Sequence, residues 1–467
     1  MEMDSTPRTF TFTVTMNNDL MEVLKAIRDN GGSPHFVGGY VRDHVLGLSP
    51  KDADVEVSYM TPTKLQEVLS KFGVVDVVGQ SFGVYKLHGL DADFSIPRRD
   101  NKKGAGHREF EVTCDPNLNP YERCGRRDLT MNSMEMDCFT GAVTDPYKGL
   151  VDMASGRMRA TDPSSFGEDD LRSVRVAQFV ARFPQFVPDD ELVELCAKAD
   201  LSNLPGERLW EEFKKMLVKG QRPDLGLEFL ERAGLLKFFP ELAAMNGCQQ
   251  HPAFHAEGDV LIHTKMALRV AAGLRNGDEA HDIPLMFGVL LHDVGKPPTT
   301  VWSEEKQRVV SNGHDDAGVE PAEAFLKKLV APTWVVDQVA VLVREHLKPY
   351  ELLRANAGPS AYRRLVRRMN GVPLTLLSDV AHADSEGRIC HDSQHQTAED
   401  LKAFLEKATA LGISNLQKPP TDIVNGKHLL ARGYKQGPAI GEVLKKCRAY
   451  QDESGETDPE KILEAIL

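Results

Sequence analysis

No stretch of the 467 residues approaches the ~18 consecutive apolar positions of a membrane span, so no membrane association is expected. Cysteine is sparse: there are seven, an odd number, with no C-x-x-C pair. That pattern excludes a disulfide framework and points to reduced thiols in a cytoplasm. The opening MEMDSTPRTFTFTV is acidic and polar before it turns strand-like, and so lacks the basic-then-apolar build of a signal peptide. Internal repeats and low-complexity tracts are absent. Positive charge is also in deficit, with 56 Lys and Arg against 69 Asp and Glu, a net charge of −13. A uniformly basic nucleic-acid-binding surface is thereby disfavoured, but local patches are not. Arg98 to Arg127 holds eight Lys or Arg against five Asp or Glu, and YRRLVRRM (Tyr362 to Met369) repeats arginine at helical spacing. Either cluster reads as a solvated face or as a phosphate-binding patch.

With 41% hydrophobic and 27% charged residues the chain is of ordinary soluble globular composition, and its length suggests about three domains. Residues 1–160 alternate short β-like runs (TFTFTV, ADVEVSY, GVVDVV, GVYKLHGL, FEVTC, SMEMDCF, AVTDPY) with a few helices, the mark of an α+β domain. From Glu168 onward helical periodicity dominates. The expected division is an α+β head at 1–160, a helical neck at 161–235, a histidine-rich helical block at 236–400 and a helical tail at 401–467. RDNKKGAGHREF (Arg99 to Phe110) is the expected mobile loop.

The densest chemistry lies in FVGGYVRDHVLGLSPKDADVEV, Phe36 to Val57. Side chains two apart on a strand share a face, so a strand over Lys51 to Val57 would aim Asp52 and Asp54 the same way. Two adjacent carboxylates repel unless a cation lies between them, and hard oxygen ligands suit Mg2+. Gly38 and Gly39 would let a phosphate approach backbone N–H groups. Arg42 could contact that phosphate, and Asp43 could brace the following helix. A D-x-D alone is common on surface strands; G-G-x-V-R-D shortly before it makes the pattern specific.

These residues resemble the class II tRNA nucleotidyltransferases, the CCA-adding enzymes of the polymerase-β-type superfamily. The resemblance implies a polymerase-β-like nucleotidyltransferase head with a mixed sheet and helices, followed by an all-α neck, HD domain and tail. Asp52 and Asp54 would be the catalytic, Mg2+-holding pair. RRDLTMN supplies Arg126, Arg127, Asp128 and Asn132 for nucleotide binding, and guanidinium forks suit triphosphate oxygens. DPYKGLVDM (Asp145 to Met153) resembles a further element in which Lys148 replaces a glycine.

GEDDLRSVRVAQFVARF (Gly167 to Phe183) places Asp169, Arg172, Arg175, Gln178 and Arg182 on one helical stripe. Acids there are favoured by the helix dipole, and an Asp–Arg pair three apart can simply be intrahelical. The same pair can read a base: a carboxylate accepts from the exocyclic amine of cytosine or adenine, and a guanidinium donates to the neighbouring ring nitrogen or carbonyl. Guanine and uracil present a carbonyl instead and would be rejected. The family's E-D-x-x-R motif falls on Glu168, Asp169 and Arg172, implies this role for Asp169 and Arg172, and leaves Gln178 where an arginine is usual. PGERLWEEFKKML resembles its E-R-x-x-x-E element through Glu207, Arg208 and Glu212, read as a brace for the neck. The loop at Arg99–Phe110 favours addition of C, C and A over CC-only relatives. Gln80 and Ser81 stand where poly(A) polymerases carry a basic pair.

A second constellation follows: His263, His292-Asp293, His314, His346 and Asp384 occur in the order H…HD…H…H…D. It resembles the HD-domain phosphohydrolases, which implies that His263, His292, Asp293 and Asp384 hold a divalent transition metal, Ni2+ or Mn2+ among the candidates. His314 and His346 would serve a second metal or phosphate. His251, His255 and Glu257 lie nearby and read as supporting residues. The fused architecture implies tRNA, CTP and ATP as partners, with 2′,3′-cyclic phosphodiesterase, 2′-nucleotidase and phosphatase activities at the HD site. The alternatives are a poly(A) or CC-only polymerase, and an HD phosphohydrolase with a non-catalytic RNA-binding head.

Overall fold

The computed structural model describes residues 10–14, 16–50, 52–78, 83–102, 110–390, 397–413 and 421–467. Gln80, Ser81 and positions 103–109 of the expected loop lie outside the described residues. Two compact units emerge: residues up to 176 with 184–204, and 177–183 with 205–467.

The first unit is built on an eight-stranded sheet. Its order is Phe10–Thr11, Ala142–Thr144, Glu135–Asp137, Ser33–Val37, Ala53–Ser58, Ala92–Ser95, Val84–Leu87, Val75–Val78. Only Ala53–Ser58 and Ala92–Ser95 run parallel, so the sheet is mixed. Helix Asn18–Asp29 starts where the Asn17 side chain accepts the Leu20 N–H, and it buries Leu20, Val23, Leu24 and Ile27 at helical spacing. Phe36, Val55, Val57 and Phe94 are fully buried on the central strands. TFTFTV contributes only Phe10–Thr11 to the sheet. Arg98–Lys102 and Phe110–Cys114 pair as a separate antiparallel ribbon flanking positions 103–109.

Among the described residues the second unit is helical, apart from the hairpin Val301–Ser303 and Arg308–Val310. Helix Glu279–Leu291 is buried along its whole length from Asp282 to Leu291, as expected of a helix that is apolar all round. Its Gly288 admits close neighbours: a Cβ there would lie 3.2 Å from Leu342 and 3.4 Å from Val380. Helices Val260–Leu274, Thr333–Glu345 and Leu374–Glu386 surround it. Within YRRLVRRM, three arginines are committed to structure: Arg363 donates to the Asp452 and Glu453 carbonyls, Arg367 pairs with Asp422 and Asp452, and Arg368 with Glu345. The cluster anchors the tail residues through Arg363 and Arg367, while Arg364 and Arg368 remain exposed on its outer face.

Candidate functional sites

Asp52 lies just before strand Ala53–Ser58 and Asp54 within it, and both are exposed while Ala53 and Val55 between and beyond them are buried. The register sets Asp54 directly beside Asp93 of the parallel strand, and Lys86 beside Asp93 on its other side. Lys86 Nζ lies 3.0 Å from Asp93. Surrounding protein raises the Asp54 pKa although its outer face is open to solvent; Arg127 pulls it back, and Asp93 and Asp52 push it higher. Carboxylates crowded in this way fit a divalent cation. Asp93 was not singled out from sequence, yet a signal existed: DAD occurs twice, at 52–54 and 91–93, and the sheet lays the two copies side by side.

Gly38 precedes the helix Gly39–Val45 at φ +64°, and a Cβ there would meet the Arg127 guanidinium at 2.8 Å. Glycine therefore lets Arg127 lie against the turn. Arg126 pairs with buried Glu56 at 2.7 Å, two residues along the strand from Asp54. Arg42 is buried, bonded to Asn132 at 2.7 Å and to Asp43 at 2.8 Å. Asn132 donates to Asp128, which also takes Arg175 at 2.7 Å. Burial alone would raise the Asp128 pKa, but Arg175, Asn132 and the Leu129 N–H hold it down to about 2. Arg42, Asn132 and Asp128 thus form a buried hydrogen-bonded chain that ends in the half-buried Arg175.

Asp169 precedes the helix Leu171–Arg182 and accepts the Leu171 N–H. Arg172 donates to the carbonyls of Ser165 and Arg126, both at 2.8 Å. That bond to Arg126 joins the proposed base reader to the arginine pair. Arg172 and Arg175 are half-buried; Gln178 is buried and accepts from Arg182. Lys148 adopts φ +65°, the left-handed region where glycine is at ease. At Gly149, a Cβ would lie 2.2 Å from the Thr130 carbonyl. Glu212 of the E-R-x-x-x-E element is buried and pairs with Lys215 at 3.0 Å.

The second unit gathers four histidines and two aspartates from five separate segments. His263, His292 and Asp384 converge, with His263 Nε2 at 3.2 Å from His292 Nε2 and 3.1 Å from Asp384. Asp293, His314 and His346 converge beside them. Asp293 faces both groups, 3.2 Å from His292 and 3.3 Å from His314. All six are buried. His292, His314 and His346 each turn Nδ1 to a backbone carbonyl, of Val289, Ser311 and Val343 respectively. This fixes the tautomer and points Nε2 inward. Among the described residues the buried Nε2 atoms of His314 and His346 have no hydrogen-bond partner, which fits them as metal ligands. Glu257 accepts from His263 Nδ1 and His255 Nδ1, the supporting carboxylate expected of such a ligand.

Burial disfavours charge on His263, yet Asp384 and Glu257 raise its pKa to about 9. Burial, with His292 and His314, pushes His346 down to about 4. Burial opposes ionisation of Asp293, but His292 and Lys296 hold its carboxyl well below the usual range. A cleft of about 310 Å3 opens onto Asp293, His314, His346 and Asp384. Among the described residues no helix is long and apolar enough to cross a membrane.

Three family descriptions match the chain: the poly A polymerase head domain over residues 34–159, the probable RNA and SrmB-binding site of polymerase A over 193–246, and the HD domain over 260–385. The multifunctional CCA protein of Stenotrophomonas maltophilia (strain K279a) is 31% identical, covering 89% of this chain and 97% of that one. That of Halorhodospira halophila (strain DSM 244 / SL1) is also 31% identical, over 88% and 95%. Among solved structures, the Bacillus stearothermophilus CCA-adding enzyme in complex with CTP superposes with a TM-score of 0.64 at 20% identity, covering 96% of this chain and 98% of that one. The Thermotoga maritima CCA-adding enzyme complexed with tRNA gives 0.56 at 19%, over 97% and 95%. At these identities the structures speak to fold alone.

Proposed function

The chain belongs to the multifunctional CCA protein family, and from that premise we propose that it adds or repairs the 3′-terminal CCA of tRNA from CTP and ATP, with a phosphohydrolase in its HD domain. The observation that carries the first part is the exposed face shared by Asp52 and Asp54, with Asp93 directly alongside. In the reaction the terminal 3′-hydroxyl of tRNA attacks the α-phosphate and pyrophosphate leaves. Mg2+ held by Asp52 and Asp54 would neutralise charge on the triphosphate and lower the pKa of the attacking hydroxyl. Arg127, against the Gly38 turn, and Arg126 supply phosphate contacts. Arg42 and Arg175 act through Asn132 and Asp128, holding the arginine pair in place. Asp169 and Arg172 select a base that carries an exocyclic amine.

The HD assignment rests on the buried histidine and aspartate set with inward-facing Nε2 atoms. The imidazole donors suit Ni2+ and the Asp293 and Asp384 carboxylates suit Mn2+; either ion's chemistry would be to acidify the water that attacks a phosphoester. The substrates would be 2′,3′-cyclic and 2′-phosphorylated RNA ends and phosphomonoesters. The four-part division at 160, 235 and 400 and a cytoplasmic location complete the reading.

The test supplies tRNA lacking its last three nucleotides with CTP, ATP or both. Addition of C, C and A, and no more, is expected. A long A tract would overturn the reading in favour of a poly(A) polymerase, and addition that stops after C, C would favour a CC-only enzyme.

A further inference from the structure

Beyond the metal-ligating residues, the HD cleft has a second wall that the proposed hydrolase chemistry does not use. Phe254 lies on it, with the Arg308 guanidinium 4.9 Å from its ring centre and the His251 ring 5.5 Å away. Arg308 comes from the hairpin Val301–Ser303/Arg308–Val310, so two elements distant in sequence build this aromatic and cationic wall. The loop that carries Phe254 is rigidly tied. Its neighbour His255 shares Glu257 with the ligand His263. The Ala256 N–H donates to the Ile389 carbonyl and Glu257 accepts the Ile389 N–H. The platform is thereby held in fixed relation to the metal-ligating group.

Gln250 adds an independent observation. It is nine-tenths buried, lines the same cleft, and its Oε1 accepts Lys296 Nζ at 2.6 Å. Lysine only donates, so the amide oxygen must face it and Nε2 is turned the other way. That Nε2 is buried with no partner among the described residues, and such a donor is costly unless a ligand acceptor meets it. Lys306, Arg354 and Arg388 also line the cleft. At about 310 Å3 it sits at the low end of roughly 300–1,000 Å3 for small-molecule sites, which suits one nucleotide and not a longer tract.

Resting on the hydrolase reading above, we propose that this cleft recognises the terminal nucleotide of an RNA 3′ end, stacking its base on Phe254 and Arg308 while Gln250 donates to a sugar or phosphate oxygen. Stacking on a π-face tolerates every base and favours the large purines, which suits an end that terminates in adenosine. In the cyclic substrate, water forms one P–O bond, one ring P–O bond breaks, and the departing sugar oxygen takes the proton.

The experiment compares adenosine 2′,3′-cyclic phosphate with glycerol 1,2-cyclic phosphate, which has the same reacting ring and no base, using the full chain with Ni2+ or Mn2+. Wild type should prefer the adenosine ester. Phe254→Ala should shrink that preference about tenfold through KM with kcat nearly constant, and Phe254→Trp should restore it. Calorimetry without added metal gives a second readout: Phe254→Ala should weaken adenosine 3′-phosphate binding by about tenfold and leave glycerol phosphate binding unweakened. A preference ratio near one in the wild type, or one unchanged in Phe254→Ala, overturns the nucleotide subsite alone. Failure to hydrolyse either ester overturns the hydrolase reading on which it rests.

Discussion

In the head, Asp52 and Asp54 project into solvent at the start of a strand, whereas in the helical unit His263 and His292 are closed off from it and already braced from behind. The difference follows from what each site would receive. A nucleotide triphosphate and an RNA end must meet at an open sheet face, and ions that arrive with substrate phosphates keep much of their water. A resident ion is held instead by ligands whose second nitrogen is fixed by a carbonyl or carboxylate, because orientation then costs nothing at binding. The backbone expresses the same contrast. A strand delivers two carboxylates through local alternation, while the four histidines and two aspartates must be carried together by five separate segments.

The sharpest way to break this comparison is to remove one carboxylate from each site. Asp54→Ala is expected to lower nucleotide addition by about a thousandfold or more, since it removes charge stabilisation at the reacting phosphate, and to spare phosphoester hydrolysis. Asp293→Ala should do the reverse. Loss of both activities in either variant would show that the sites are not separate.

Metal removal should separate them thermally. If the buried set binds its ion only when folded, Ni2+ or Mn2+ at a hundredfold excess over Kd adds about 2.7 kcal/mol, and Tm should rise. His263→Ala should abolish that rise and Asp54→Ala should keep it. An Asp54→Ala protein that no longer responds would place the stabilising ion in the head.

Acid stability tests the head's buried chain. The Asp128 pKa is depressed to about 2, below the ~3.9 of an unfolded chain. Its contribution is therefore fully present above pH ~4 and lost as pH falls toward 2, and amounts to about 2 kcal/mol. Asp128→Asn should be less stable than wild type at pH 7, and the gap should narrow near pH 2, measured by denaturant unfolding. A gap that does not change with pH would remove Asp128 from the ionic chain.

The smallest effect is expected at Lys148. Its φ of +65° costs an L-residue about 1–2 kcal/mol, part of which glycine returns as backbone entropy. Lys148→Gly should raise Tm slightly, by about 0.5–1 kcal/mol of stability, with no change in nucleotide addition.

Much of this molecule was legible in its residues. The alternation around Asp52 and Asp54, the helical run into His292-Asp293 and the α+β-to-helical transition are local patterns, and local patterns survive in a linear string. Two central strands were harder to see. Ser33–Val37 carries a proline and a histidine, and Ala92–Ser95 carries an aspartate that serves the site face. Arg42 shows the other limit: its residue type suggests a phosphate contact, but its burial against Asn132 makes it a support.

By itself the sequence determined which chemical groups exist and their spacing along each element, because strand and helix periods are properties of neighbouring residues. Only the tertiary structure decided that Asp93 would stand beside Asp54, that Arg172 would reach the Arg126 carbonyl, and that Phe254 and Arg308 would share a wall with the histidines. Those juxtapositions depend on sheet register and packing between residues 39 to 54 positions apart, and no local period encodes them.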